Sequence, residues 1–178
     1  MALIGLKNLY YAELTSDTAV SPTYGTLTKI GEAVSVDINP SVNKATLYGD
    51  DAPVAVSTSL TEISVKIETT KIPLEHQAKL LGHTYDSTNN TLTAKASDVA
   101  PYVGLAFESE THDGKTRCVK LLKGKFSLTQ ETINTRGENL EYQVPSLEGS
   151  FVARADGAWK KVKDFAKGTS TSTWYSSM

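Results

Sequence analysis

Apolar and polar residues alternate with a period of two between residues 54 and 67, which is typical of a half-buried β-strand. The apolar positions are first even-numbered and then odd-numbered: Val54, Val56 and Leu60, followed by Ile63, Val65 and Ile67. A slip of one residue moves every later side chain to the opposite face of a strand. The strand is therefore either bulged between Leu60 and Ile63 or serves two different apolar surfaces.

A shorter alternation over residues 33–38 predicts a second strand. Asn39 and Pro40 are predicted to end it, because the residue before proline is restricted and proline lacks an N–H donor. Residues 41–53 then form an extended loop or the outward limb of a hairpin. With the strand that follows they make a projecting β-arm over about residues 41–60, whose exposed edges invite pairing with another chain.

A single short helix is predicted after this strand. Pro73 is suited to a first helical turn, and Gly82 to a left-handed C-terminal cap. Leu74, Ala78 and Leu81 form an apolar stripe with helical spacing. A helix of this length is unstable alone, so we expect it to pack on a sheet.

The remaining pattern is that of short strands and turns. Residues 6–14 form a strand or a short helix, and their tyrosines favour a strand. Alternation at 103–108 leads to a hairpin at Asp113-Gly114 and a returning strand, and further turns are predicted at 134–137 and at Asp156-Gly157. The chain is thus predicted to be mainly β, an antiparallel β-sandwich or barrel of about eight strands with one flanking short α-helix and a projecting β-hairpin arm.

The turn at Asp156-Gly157 also predicts a specific pair of residues. If the loop consists of these two residues, Phe151 lies directly across from Val162. We predict that this pair faces the core, so that removing the Phe151 ring destabilises the fold.

Length and charge restrict the class of protein. The 178 residues predict one domain over 1–167, followed by a flexible Ser- and Thr-rich tail over 168–178 in which Trp174 and Tyr175 offer rings to a partner. The charges are nearly balanced, with 18 Lys and Arg against 20 Asp and Glu, which argues against non-specific binding of nucleic acid. The basic group Lys120, Lys123 and Lys125 is predicted to lie on a solvated strand face. The first residues show no secretory signal, and no membrane span is predicted.

Candidate catalytic and ligand motifs are weak. Gly114-Lys115-Thr116 resembles the end of a phosphate loop but lies between strands, which predicts a hairpin tip. His76 and His83 are seven residues apart, but Gly82 between them is predicted to end the helix, so they do not predict a metal site. Gly49-Asp50-Asp51 lacks the further acidic partners that a metal site needs. The single Cys118 suits a reducing compartment and a structural position in a strand. We therefore expect no catalytic, metal or cofactor site, and no enzyme.

Several blocks together resemble a known family, the major tail proteins of long-tailed, non-contractile phages and prophages of Gram-positive bacteria. In chain order they are GLKNLYYA (5–12), TYGT (23–26), NP (39–40), ATLYGDDAP (45–53), PLEHQAKLLGH (73–83), PYVGLAFE (101–108), LLKGKF (121–126) and NLEYQVPSLEG (139–149). The order and spacing of the blocks carry the resemblance, which covers most of residues 5–165. The tail after residue 167 departs from the pattern.

The resemblance implies the tail tube fold and a structural role in the virion. Copies of such a protein form hexameric rings that stack into a hollow tail tube, a conduit for DNA during ejection. The implied partners are other copies of the chain, the tape-measure protein, and the tail terminator and distal tail proteins. DNA would pass through without specific binding, and synthesis would take place in the host bacterial cytoplasm. Ile63, Val65 and Ile67 would face the subunit core, and the residues between them a wet lumen or the outer surface.

Residues 45–60 are predicted to make most contacts between subunits or rings, because this segment has no evident role within its own domain. The predicted interface residues are Leu47, Tyr48, Asp50, Asp51, Val54 and Val56. The alternative is a soluble β-sandwich binding module, for example for carbohydrate. It would use exposed tyrosines as stacking platforms: Tyr10, Tyr11, Tyr24 and Tyr48.

Overall fold

A computed structural model of the chain describes residues 2–50, 52–129, 144–176 and 178. Strands account for 58% of the structure and helix for 5%, and the sheets are antiparallel. The predicted fold class, mainly β with a single short helix, is confirmed. The turn predicted at 134–137 lies outside the described residues.

The described residues form eleven strands and one helix: β1 (Leu3–Ser16), β2 (Thr23–Tyr24), β3 (Thr28–Gly31), β4 (Ala33–Gly49), β5 (Ala52–Thr69), α1 (Leu74–Leu81), β6 (Thr84–Asp86), β7 (Thr91–Thr93), β8 (Val103–Thr111), β9 (Thr116–Ser127), β10 (Ser146–Phe151) and β11 (Lys160–Phe165).

Nine of these strands belong to one curled sheet. Its order is β2-β1-β8-β9-β10-β5-β4, with β3 also paired to β1 and β11 to β9. Because only Glu32 separates β3 from β4, the pairing of β3 with β1 brings the two ends of the path together. Strands β6 and β7 form a separate two-stranded sheet. This arrangement is consistent with the predicted sandwich or barrel.

The core lies inside the curl of the sheet. It includes Leu9, Ile30, Leu80, Val103, Leu105, Leu121, Phe126, Leu147 and Phe151. From β5 it receives Ile63, Val65 and Ile67, which are fully buried as predicted. Lys66 and Glu68 lie on the opposite face of β5, where Lys66 Nζ is 3.1 Å from Glu68 Oε1.

Helix α1 has the predicted boundaries and packs against β9. It starts directly after Pro73 and ends at Gly82, whose φ of 76° is left-handed. A Cβ added at Gly82 would lie 2.3 Å from the carbonyl oxygen of Val99, so both conformation and space require glycine here. The buried residues of the helix are Ala78, Leu80 and Leu81. Leu74, which was predicted to belong to this apolar stripe, remains 39% exposed.

The prediction that Pro40 ends a strand is wrong. Strand β4 continues through Asn39 and Pro40 to Gly49, and Pro40 lies opposite Ile63 of β5. Within the described residues β4 pairs with β5 alone, so Pro40 occupies an edge strand, where a missing N–H is tolerated. Residues 41–49 are therefore the outward limb of a hairpin.

The predicted pairing of Phe151 with Val162 is also wrong. Strands β10 and β11 do not pair with each other, because both pair with β9 on the side away from β8. Phe151 lies between Gly124 of β9 and Ile63 of β5, whereas Val162 lies opposite Val119. Phe151 is buried as predicted, but Val162 is 48% exposed and does not belong to the core.

A loop at 152–159 separates the two strands. The N–H of Val152 donates to Lys123 O, and the N–H of Leu122 donates to Trp159 O. The two ends of the loop are thus bonded to adjacent residues of β9. A tight turn at Gly157 exists, with φ of 79°. It lies inside this loop and does not join a pair of hydrogen-bonded strands.

The C-terminal tail contacts the outer face of its own sheet. The Trp174 ring packs on Phe165, with ring centroids 6.3 Å apart, and Lys120 Nζ lies 4.3 Å from the Trp174 centroid. The Tyr175 ring is 5.0 Å from that of Tyr10. Lys120 is only 5% exposed, so its predicted place on a solvated face is wrong. The flexibility of the tail stays a prediction.

Candidate assembly surface

Strands β4 and β5 extend beyond the rest of the sheet as a two-stranded ribbon over residues 41–60, which we call the arm. Strand β10, the other neighbour of β5, pairs with it only from Ile63 to Glu68. At the far end Gly49 pairs with Ala52, and Asp50 has a φ of 47°, a conformation that Asp tolerates. A two-stranded ribbon that stands alone is only marginally stable in water.

A β-bulge in β5 places the arm in register with the core. The paired residues run Pro40–Ile63, Ser41–Glu62 and then Val42–Leu60. Thr61 is therefore the extra residue, and the predicted slip between Leu60 and Ile63 is a bulge. The extra residue shifts β5 by one position relative to β4. Even-numbered Leu60 before the bulge and odd-numbered Ile63 after it therefore point to the same side of the ribbon. The alternative of two different apolar surfaces is wrong.

The two faces of the arm differ in chemistry, because residues paired across two strands share a face. One face carries Val42, Tyr48, Val56 and Leu60, with Lys44, Thr46 and Thr58 between them, and we call it the apolar arm face. It continues the side of β4 that carries the partly buried Val36 and Ile38, which pack on the core. The opposite face carries small and polar residues, together with Leu47: Asn43, Ala45, Ser57 and Ser59. The core-facing side of the sheet thus extends outwards as an uncovered surface that carries several apolar side chains.

The predicted interface residues lie near the end of the arm. Leu47 is 65% exposed, Tyr48 69%, Val54 68% and Val56 55%. Asp50 is exposed at the tip, and Asp51 lies outside the described residues. Tyr48 and Val56 share the apolar arm face, whereas Leu47 points to the opposite side. Several large apolar side chains are thus exposed on one short segment, which is a feature of interaction surfaces.

Two residues of the same surface are not among the predicted interface residues. Val42 and Leu60 form a cross-strand pair at the base of the arm and are 56% and 39% exposed. Val42 has the same parity as Val36 and Ile38, which is a signal for this face. The predicted end of the strand at Pro40 concealed it.

An apolar crevice opens where the arm leaves the sheet, and we call it the base crevice. Its volume is about 270 Å³, and its apolar walls come from Leu60, Ile63, Phe151, Val152 and Trp159. Glu62 also lines it, and its carboxylate accepts a hydrogen bond from the Ser150 hydroxyl. The base crevice is therefore an open end of the core next to the apolar arm face.

The free edge of β11 differs from the edges of the arm. It carries Lys160, Lys161 and Lys163, all exposed, and none of them forms an ion pair with a described residue. Lysines on an edge strand oppose pairing with another strand. The described part of the arm has Lys44 as its one basic residue, so its edges lack this protection.

The residues considered for catalysis have structural partners. His83 Nδ1 lies 2.8 Å from Asp98 Oδ2, and His76 Nδ1 lies 3.2 Å from the Tyr11 hydroxyl. Cys118 is buried, and burial raises the pKa of its thiol to about 11, which keeps it protonated at neutral pH. Across the described residues no group of three or more His, Cys, Asp or Glu side chains is placed to hold a metal ion. Gly114, with φ of 75°, forms the tip of the β8–β9 hairpin, as predicted.

The tyrosines proposed as stacking platforms do not form one surface. Tyr11 is 4% exposed and belongs to the core. The Tyr10 ring packs against Tyr175, and the Tyr24 hydroxyl donates to Leu122 O at 2.7 Å, so both are partly buried. Tyr48 alone of the four is strongly exposed, and it lies on the arm.

Comparison with known proteins adds no further assignment. No model of a protein family matches the chain, and no curated protein matches it significantly. Among the described residues, no helix has the length and apolar character needed to cross a membrane.

Proposed function

We propose that this chain is a structural subunit that assembles with copies of itself, through the arm, into stacked hexameric rings that form a phage tail tube. The observation that carries the proposal is the apolar arm face, which continues the core side of the sheet into solvent. The resemblance of the sequence blocks to major tail proteins supports the ring and the tube as the form of assembly.

The size of the arm surface favours a ring over a simple pair. Fully burying an exposed Val or Leu side chain contributes about 1.5–3 kcal/mol. The side chains of the apolar arm face are about half buried in the single chain, so only the remaining half can be gained on association. Covering Val42, Tyr48, Val56 and Leu60 therefore contributes on the order of 4 kcal/mol, which association entropy largely cancels. A closed ring makes one such contact for every subunit, whereas a pair makes one contact for two subunits, so ring closure covers more apolar surface per copy.

The proposed role in the virion includes further partners. The tube would surround the tape-measure protein during assembly, end on the terminator and distal tail proteins, and later conduct DNA. A formal net charge of −2, with Lys66 and Glu68 paired on the face of β5 away from the core, suits a tube in which DNA slides without sticking.

Two neighbouring residues of the arm provide a matched test. Val56→Asp places a carboxylate on the apolar arm face, and Ser57→Asp places the same charge on the opposite face. We expect wild type and Ser57→Asp to form rings or tubes at high concentration in negative-stain micrographs, and Val56→Asp to remain monomeric by sedimentation velocity. Deletion of residues 49–56 should likewise leave a folded monomer.

The wild-type chain must assemble into oligomers if the proposed function is correct. A wild-type protein that stays monomeric at its highest soluble concentration would refute self-assembly. Normal tubes from the 49–56 deletion would refute the role of the arm. Unchanged far-ultraviolet circular dichroism must accompany any loss of assembly, so that unfolding is not mistaken for a lost contact.

A further inference from the structure

We propose that the base crevice of one copy receives the tip of the arm of a second copy, so that each contact is head-to-tail. This inference rests on the proposed self-assembly and adds the receiving site. The tip is defined by Tyr48, Asp50 and Val54, which are exposed at the far end of the ribbon.

The length of the arm determines whose tip can enter the base crevice. From Val42 to Gly49 the ribbon advances seven residues, or about 23 Å at the usual rise of a strand. Leu60, the partner of Val42, itself lines the base crevice. The tip therefore lies about 23 Å from the crevice of its own chain. An occupant from the same arm is therefore excluded, and the tip that enters must belong to a second copy.

The tip and the base crevice match in polarity. Tyr48 and Val54 are more than two-thirds exposed, and the base crevice offers apolar surface from Leu60 and Val152, each 39% exposed. A ring or methyl group inserted there extends the core of the receiving copy, which is how a few anchors come to dominate an interface.

The tip and the base crevice also match in charge. Lys160 directly follows Trp159, a crevice residue, and Lys160 Nζ lies 5.6 Å from the Trp159 ring centroid. Asp50 at the tip forms no ion pair with a described residue, and neither does Lys160. Glu62 is the one acidic residue in the crevice wall, and Ser150 already donates to it. Entry of an acidic tip beside Lys160 pairs charges that have no ion-pair partner among the described residues.

A contact between two different surfaces has a consequence for assembly. When the tip of each copy enters the crevice of the next, every copy keeps one free tip and one free crevice until a ring closes. If two arms instead packed face to face with twofold symmetry, the dimer would have no free arm surface left to bind a third copy. The two arrangements are therefore separable by mixing variants.

The experiment mixes a tip variant with a crevice variant. Tyr48→Asp removes the anchor, and Val152→Asp puts a carboxylate on the crevice wall, where Val152 is 39% exposed. We expect each variant alone to require a concentration at least about tenfold higher than wild type for assembly, as for the loss of an interface anchor. The 1:1 mixture should form dimers and nothing larger, because one intact tip and one intact crevice remain per pair.

Two controls keep the test independent of folding. Val20→Asp introduces the same change at a 95% exposed valine outside the arm and the crevice, and should assemble like wild type. Lys160→Glu alters the crevice rim at an exposed position and should weaken assembly without lowering the melting temperature.

Sedimentation velocity of the mixture and of the single variants decides between the models. Wild-type assembly of both Val152→Asp and Lys160→Glu would overturn the receiving site and leave self-assembly through the arm intact. A mixture that stays monomeric would overturn the head-to-tail contact. A monomeric wild type would overturn this inference together with the proposed function.

Discussion

The packing of Phe151 against Gly124 supports a double-mutant test of how the sheet is built. Phe151 is 1% exposed, and its ring meets that of Phe126 edge to face, with ring centroids 6.0 Å apart. A Cβ added at Gly124 would lie 2.4 Å from Cγ of Phe151, so glycine at this position is required by the ring above it. The two residues face each other because β10 pairs with β9 at this point.

The expected costs follow from burial and from space. Phe151→Ala removes a buried ring and leaves a cavity, which costs about 4 kcal/mol of unfolding free energy. Gly124→Ala overfills the same site and costs about 2 kcal/mol. In the double variant the new methyl group occupies space that the ring has left, so the total should be close to about 4 kcal/mol and below the sum of about 6 kcal/mol.

Val162→Ala is the control that separates this arrangement from a β10–β11 hairpin. Val162 is 48% exposed, so losing two methylene equivalents there costs about 1 kcal/mol or less. Urea unfolding followed by circular dichroism gives all four free energies, and a Val56→Asp background prevents assembly from adding to them. Additive costs at 124 and 151, or a cost at Val162 equal to that at Phe151, would refute the reasoning.

Two further predictions concern charge and the tail. The guanidinium of Arg154 holds the pKa of Asp156 below its unfolded value of 3.8, so this carboxylate stabilises the fold above that pH, and the contribution is lost as the pH falls through the folded pKa. Asp156→Asn should therefore flatten the loss of unfolding free energy between about pH 5 and pH 2; an unchanged slope in acid titrations contradicts this. Cys118 should react slowly with a thiol reagent at neutral pH, because it is buried. The tail contributes to this cover, since the Tyr175 hydroxyl lies 3.3 Å from the Glu108 carboxylate, which also contacts the Cys118 thiol. Truncation after Gly168 should speed that labelling, and equal rates would show that the tail does not cover this face.

Much of the arm could be predicted from sequence because its signals are local. The reversal of parity between Leu60 and Ile63 required a bulge or a change of surface, and the bulge at Thr61 confirms the first. Tyr48, Val54 and Val56 were recognised because apolar residues occurred where no core was available to them. Val42 and the base crevice were missed, since both depend on which strand continues past Pro40 and on what packs at the base of the arm.

The pairing of distant strands was not predictable in the same way. A turn signal at Asp156-Gly157 correctly indicates a reversal of the backbone, with φ of 79° at Gly157. It does not indicate which strand supplies the hydrogen bonds afterwards. Strand β9 has twelve residues and offers partners to both β10 and β11, and this competition decided the arrangement.

The amino-acid sequence by itself determined the features that arise within a few residues: alternation along strands, the change of parity in β5, the helix between Pro73 and Gly82, and the hairpin at Gly114. These follow from steric limits on the backbone and from the period of side chains along it. The tertiary structure alone decided that β4 is an edge strand able to contain Pro40, that Lys120 is covered by Trp174, and that the core opens at the base of the arm. Those outcomes depend on which remote surfaces meet, and burial is a property of both partners in a contact and not of either segment alone.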